Sequence, residues 1–141
     1  LIETEAWAHE RIRAMWEITG AEVVDMGVHH HDEVLAATSH LPHVLAYSLV
    51  DCLARMDDRA EIFRYAAGGF RDFTRIASSD PTMWRDICLA NRAPLLEAIR
   101  QFSADLAKLG AAIERADSAA ITATFQRAKH ARDNLYLSKH A

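Results

Sequence analysis

The apolar residues Leu95, Ile99, Phe102, Leu106, Leu109 and Ile113 follow one another at alternating steps of four and three. That spacing returns a side chain to the same face of an α-helix on every turn, whereas a strand would scatter it over both faces. The run lasts under three heptads, so a packed bundle helix is expected rather than a free coiled coil. Such a stripe has to be covered. Either the rest of the chain buries it, or one side of it meets another chain, because long apolar helices joined by short loops make good dimer faces. The spacing alone leaves both open.

The remaining segments follow the same period. Residues 3–19 form an amphipathic pattern with Trp7, Ile12, Met15 and Trp16, and Gly20 stands where a helix would stop. Residues 21–28 are short and partly β-branched, a loop or one brief strand. Asp32 can cap a second helix reaching towards Met56, with Leu41, Leu45, Leu49 and Cys52 on its stripe. Pro42 interrupts it. Either the helix kinks and frees the carbonyl of Thr38, or it begins at Ser39 with Pro42 in its first turn. Asp57 and Asp58 cap a third helix towards Ala67, and Gly68-Gly69 marks a break or a close approach of backbone. Asp80-Pro81 is a helix start with proline at the first helical position, and Pro94 is expected to bend the long helix that follows. Asp117 caps a last helix bearing Ile121, Phe125, Ala128 and Leu135. The chain is expected to be all-α, a helical bundle.

Composition narrows the class. At 141 residues the chain is expected to form a single domain spanning 1–141, long enough to bury roughly two-thirds of its unfolded surface. A net charge of −4 argues against a phosphate-backbone partner, so no nucleic acid is expected. No apolar run reaches the ~18 residues that cross a bilayer, so no membrane partner is expected and a cytoplasmic setting is. Cys52 and Cys88 lie in apolar helical patterns without CxxC spacing, which suggests buried free thiols in a reducing compartment. Five glycines, at 20, 27, 68, 69 and 110, make neither a dinucleotide fingerprint nor a P-loop. Leu1 falls in mid-pattern without an initiator Met, so the chain reads as a piece of a longer protein.

Chemistry gathers in three places. Five of the eight histidines, 29, 30, 31, 40 and 43, fall in one short segment. On a helical wheel Asp32, Ser39, His40, His43 and Tyr47 share one arc beside the apolar stripe, a natural pocket wall. Arg71, Asp72 and Arg75 lie within about one turn, so Asp72 can hold a guanidinium through an i,i+3 contact. The planar fork of arginine binds a carboxylate bidentately. Trp84 follows the Asp80-Pro81 cap by one turn and could floor a pocket. Two imidazoles, a guanidinium and an indole suit a small anionic, partly apolar molecule. An alternative is an all-helical metal protein using His31, Asp32, His40 and His43, although the chain offers no Glu-x-x-His pair at bundle spacing. A helical interaction module without a small-molecule site is a third reading.

In succession, Gly20-Ala21, Met26, His31-Asp32, Ser39-His40-Leu41-Pro42-His43, Gly68-Gly69-Phe70-Arg71-Asp72, Thr74-Arg75-Ile76-Ala77, Ser79-Asp80-Pro81, Met83-Trp84, Asp86-Ile87 and Asn91 resemble the C-terminal domain of the prephenate dehydrogenase family. That family includes the arogenate- and cyclohexadienyl-using relatives. The resemblance implies the helical dimerisation fold of the 6-phosphogluconate-dehydrogenase C-terminal type. It also implies a nucleotide-binding domain upstream and absent here. The implied activity belongs to tyrosine biosynthesis: NAD or NADP accepts hydride as the ring hydroxyl is oxidised, and loss of the ring carboxylate aromatises the product. Prephenate would yield 4-hydroxyphenylpyruvate, and arogenate would yield tyrosine. By the same resemblance His43 and Arg75 would contact substrate, with Arg75 on a carboxylate. His40, Gly68, Asp72 and Trp84 would line or support the pocket, partly across a homodimer interface. The family's catalytic histidine lies in the upstream half. No catalytic residue, no bound cofactor and no turnover are therefore expected of this chain alone.

Overall fold

The computed structural model describes residues 3–137, the last three by backbone alone; Leu135, expected on the last apolar stripe, and His140 fall outside what is described at side-chain level. All regular elements are helical, and no strand occurs among the described residues. They are α1 (Ala6–Ile18), α2 (Val28–Leu35), a π-helical turn (Ala36–His40), α3 (Leu41–Ala54), α4 (Arg59–Arg64), α5 (Gly68–Thr74), a 3-10 turn (Arg75–Ser78), α6 (Pro81–Ala90), α7 (Arg92–Glu114) and α8 (Ser118–Leu137). Two compact units are distinguished, one through Asp32 and one from Glu33 onward.

In the first unit α1 ends at a glycine for a conformational reason. Gly20 has φ +83°, and the turn closes through Gly20 N–H to Glu17 O (2.9 Å) and Ala21 N–H to Trp16 O (3.3 Å). This paired arrangement satisfies the last carbonyls of the helix. Residues 21–27 then run back in extended form and are held by Arg13, which donates to Val23 O (3.0 Å) and pairs with Asp25. His9 also reaches Asp25 (2.8 Å). The hydrogen bond from His9, with the charge of Arg13, holds the Asp25 carboxyl below the ordinary carboxylate range. No residue of α1 is buried, and Trp7, Ile12, Met15, Trp16 and Ile18 are all exposed.

The second unit is organised around α3. Ala46, at its middle, is fully buried, and Ala36, Leu95, Ala112 and Trp84 complete the apolar core. Small residues at the centre let backbones approach closely, so the core is thin and built of alanine rather than of large side chains. Helix α3 packs on the π-turn, on α5, on the 3-10 turn and on α7, while α7 and α8 form a hairpin. The hairpin turns at Ala116, the one described non-glycine residue at positive φ (52°). Ala116 N–H donates to Ile113 O (3.0 Å) and Asp117 N–H to Ala112 O (2.8 Å), the same closure that Gly20 gives α1.

Several expectations are met and several corrected. Asp80 caps α6 by accepting from Met83 N–H (2.8 Å), and Asp117 caps α8 by accepting from Ala120 N–H (3.0 Å). The second helix, however, begins at Val28, not behind a cap at Asp32, so the three consecutive histidines lie inside its first turn. The fourth helix stops at Arg64, and Asp58 makes no side-chain cap bond. Gly68 and Gly69 open α5 after an extended Ala67, with open space where a Cβ would stand; they are a break and not a close approach. Pro94 does not bend one long helix. The chain breaks instead at Asn91 (φ −103°, ψ 37°), and Pro94 sits in the first turn of a new helix, where its missing N–H has no intrahelical partner to lose. Cys52 is exposed and only Cys88 is partly covered, where burial pushes its thiol pKa up.

The apolar seam is covered in part. Leu95 is buried and Ile99 and Leu109 half-buried, whereas Phe102, Leu106 and Ile113 are 38%, 55% and 60% exposed. An L-residue held in the left-handed region costs about 1 kcal/mol, and glycine does not pay it. Ala116→Gly is therefore expected to stabilise the fold by about 0.5–1 kcal/mol, read as a higher urea midpoint at unchanged slope. An unchanged or lower midpoint would mean that the hairpin turn is not strained.

Candidate functional site

Pro42 has no N–H, so the helix containing it must lose one rung. The chain absorbs this upstream. Residues Ala36–His40 widen into a π-turn closed by Leu41 N–H to Ala36 O, and α3 then resumes with Pro42 in its first turn. Single widened turns of this kind recur at functional sites because they displace side chains from the regular helical row. Of the two versions the sequence allows, the continuous one is seen, with widening in place of a sharp kink.

The widened turn places its polar groups in defined company. His43 Nδ1 donates to Ser39 O (2.9 Å), the carbonyl one turn back, which leaves Nε2 without a partner among the described residues. The imidazole of His43 lies flat on the indole of Trp84, centroids 3.5 Å apart and planes 18° from parallel. His40 meets the same indole edge-on at 6.2 Å and 74°. On its other side Asn91 Nδ2 donates to His40 Nδ1 (3.0 Å), and both residues are buried. Trp84 is held by the cap at the start of α6, with Trp84 N–H on Asp80 O (3.2 Å). The hydroxyl of Tyr47 donates to Ser79 O (2.6 Å) and ties α3 to the residue just before that cap. An open cavity of about 220 Å³ adjoins the stack, lined by Val44, Tyr47, Pro81, Trp84, Arg85 and Cys88.

His40, His43 and Trp84, three of the six residues expected to form the site, are thus brought into contact. The other three come from one neighbouring stretch. Gly68 opens α5, Asp72 lies within it and Arg75 begins the 3-10 turn; all three are exposed. This stretch packs on α3, the helix that also carries His43, but no hydrogen bond or ring contact joins His43 to Arg75. The expected i,i+3 contact does not form: Asp72 pairs with neither Arg71 nor Arg75 among the described residues. Both side chains are exposed, where an i,i+3 ion pair gains little over hydration. Arg75 presents its guanidinium without a carboxylate partner among the described residues.

The metal alternative is corrected. His31 reaches Asp32 (3.1 Å), His40 is engaged by Asn91 and Trp84, and His43 spends Nδ1 on a backbone carbonyl. Among the described residues no group of three or more His, Cys, Asp and Glu is placed to hold a metal ion. Asn91 and the carbonyl of Ser39 are the partners that residue types did not announce. The signal for Asn91 was available: a residue tolerant of irregular backbone stands between two helical patterns.

Against known proteins, residues 28–127 match the family described as "Prephenate dehydrogenase, dimerization domain". The chain belongs to this family. It is 44% identical to the cyclohexadienyl dehydrogenase of Zymomonas mobilis over 131 residues, which is 92% of this chain and 45% of that protein. It is 38% identical to the prephenate dehydrogenase of Bacillus subtilis over 136 residues, 96% of this chain and 37% of that one. The crystal structure of A. aeolicus prephenate dehydrogenase in complex with hydroxyphenyl propionate and NAD+ superposes with a TM-score of 0.85 at 37% identity, covering 94% of this chain and 47% of that one. The chain therefore spans less than half the length of these relatives. The helical architecture described above is the fold of the family's dimerisation domain, and the π-turn, the imidazole–indole stack and Arg75 all fall inside the matched segment.

Within this dimerisation domain the indole N–H of Trp84 is buried without an acceptor among the described residues. An orphan donor of that kind costs about 1–3 kcal/mol, which offsets part of what the ring gains by packing. Trp84→Phe removes the donor and keeps an aromatic face, so its stability should stay within about 1 kcal/mol of the parent. Trp84→Ala should lose about 3–5 kcal/mol. Urea unfolding of the two variants separates the contributions; equal losses would show that the indole nitrogen is satisfied after all.

Proposed function

We propose that this chain is the substrate-binding and dimerisation half of an NAD- or NADP-dependent prephenate or arogenate dehydrogenase acting in tyrosine biosynthesis in the cytoplasm. The observation that carries the reading is the unpaired guanidinium of Arg75, on an element that packs on the same helix as the oriented imidazole of His43. Its support from likeness is the A. aeolicus enzyme, whose complex contains an aromatic acid and NAD+. Prephenate carries two carboxylates on a partly apolar frame. Arg75 can take one of them bidentately, and His43 can offer Nε2 because Nδ1 is already committed to Ser39 O. Trp84, stacked against His43, supplies an apolar wall and holds the imidazole plane. His40, fixed by Asn91, steadies the widened turn from behind, and Gly68 and Asp72 belong to the rim that carries Arg75.

The residues described do not fit a dinucleotide. No strand–turn–helix unit is present among them, and the paired glycines open a short helix after extended backbone. The nicotinamide would supply the hydride acceptor from a separate nucleotide-binding domain, and this chain's part is to bind and orient the acid. Among the described residues no helix is long and apolar enough to cross a membrane.

Two outcomes test the proposal. In the full-length dehydrogenase carrying this domain, Arg75→Ala should lower kcat/KM by about 1.5–3 kcal/mol, the scale of a charged hydrogen bond, or roughly 10–100-fold. An unchanged kcat/KM sinks the carboxylate-binding role. Homodimerisation through the uncovered stripe of α7 predicts that Leu106→Glu with Ile113→Glu shifts sedimentation from dimer to monomer at micromolar concentration. A parent chain that sediments as a monomer over that range removes the dimer.

A further inference from the structure

The hairpin of α7 and α8 carries a second concave surface, a cleft of about 400 Å³, within the range of small-molecule sites. Its floor is apolar, from Leu109, Ala112 and Ala120, and its rim is charged, from Asp105, Lys108, Arg115 and Arg127. Three cations face one carboxylate. That carboxylate is already spoken for: Asp105 accepts from Lys108 (2.7 Å) and from Gln101 (2.9 Å), and these bonds hold its pKa below the ordinary range. Asp117, at the closed end of the hairpin, spends an oxygen on the Ala120 N–H. Arg127 donates only to the hydroxyl of Thr124 (3.1 Å), and the side chain of Arg115 has no hydrogen bond or ion pair among the described residues. The charge of Arg127 also acts on the Asp105 carboxylate, but neither Arg115 nor Arg127 forms an ion pair with a carboxylate among the described residues, so two guanidinium groups border one cleft with donors to spare.

The cleft does not coincide with the surface a second subunit would cover. At about 100° per residue, the lining positions 105, 108, 109, 112 and 115 centre roughly 100° from the stripe of Phe102, Leu106 and Ile113, with Leu109 at the edge between the two. On α8 the positions 120, 124 and 127 lie about 100° from Ile121 and Phe125. In an antiparallel hairpin these rotations turn both apolar rows to one side of the cleft, with Leu109 shared at its edge. A partner seated on the apolar side leaves the arginines open.

We infer that the α7–α8 cleft binds a compact dianion, a short dicarboxylate or a phosphate monoester, held between Arg115 and Arg127 with its carbon frame on Leu109, Ala112 and Ala120. Each guanidinium can take one acidic group through paired N–H donors, which a chloride ion cannot exploit. This inference does not depend on the dehydrogenase reading above.

The test is a titration of the 15N-labelled chain with succinate and, separately, inorganic phosphate, each against sodium chloride at matched ionic strength. Saturable shifts confined to residues 105–127 are expected from at least one dianion and not from chloride. Arg115→Gln and Arg127→Gln should each weaken binding by about 10-fold or more. Arg100→Gln, on the same helix but paired with Glu97 (3.0 Å), should leave it unchanged. Saturation by phosphate alone assigns the phosphate class, and saturation by succinate alone assigns the dicarboxylate class. Shifts that never saturate, that chloride reproduces or that survive both substitutions overturn the inference. So does a dimer loosened by Arg115→Gln and Arg127→Gln in a chain that ignores both dianions, because the cleft would then be filled by a second copy.

Discussion

The flat contact between His43 and Trp84 is the interaction on which the rest of the second unit's arrangement turns. A ring stack at 3.5 Å constrains both the distance and the tilt of the elements that carry it. It pins the first turn of α3 to the first turn of α6. Each end is braced independently: His43 by its bond to Ser39 O, Trp84 by the cap at Asp80-Pro81, and the two elements again by Tyr47 on Ser79 O. Three short-range constraints meeting at one contact make it rigid without a large core. The thin, alanine-built interior of this unit could not by itself fix the position of an imidazole so closely.

His40 shows why the widened turn is retained. A buried imidazole requires a partner for its ring nitrogens, and Asn91 provides one at 3.0 Å from the break between α6 and α7. Had α6 run on into α7, as the apolar pattern suggested, residue 91 would sit in a regular helical row. The irregular backbone there (φ −103°, ψ 37°) places the amide where it meets His40. Two departures from regular helix, one at residues 36–40 and one at Asn91, are thus joined by a single hydrogen bond. Neither is a local defect.

The parts that were legible in the sequence are those set by neighbouring residues. Asp80-Pro81 and Asp117 act within one turn of themselves, and the stripe from Leu95 to Ile113 reports a period that any helix obeys. The π-turn and the stack of His43 on Trp84 stand where two imidazoles flank a proline and an indole follows a strong cap by one turn. The misreadings share a cause: residue type and local spacing fix neither where the backbone starts a helix nor which side chains are covered. Asp32 has the residue type of a cap, but the helix starts at Val28 and takes it into its interior. Arg71, Asp72 and Arg75 have the spacing of an ion pair, but all three are exposed to water, which competes for them. Cys52 is exposed although Leu41, Leu45 and Leu49 of its row are half-buried. No rule that reads one segment at a time would recover a bond spanning 51 residues, such as Asn91 to His40.

The same limitation explains why the spacing of the α7 stripe left its cover open, and half of that stripe is exposed. Periodicity reports that a face is apolar; it does not report what covers it. In this chain Leu95 is covered by its own subunit, while Phe102, Leu106 and Ile113 face outward, and α1 exposes Trp7, Met15 and Trp16. Large apolar side chains left in water on helices that are otherwise well formed mark surfaces shaped for association. The cations are placed differently: among the described residues Arg75, Arg115 and Arg127 form no ion pair with a carboxylate, and Arg115 and Arg127 border the α7–α8 cleft rather than the row of Phe102, Leu106 and Ile113.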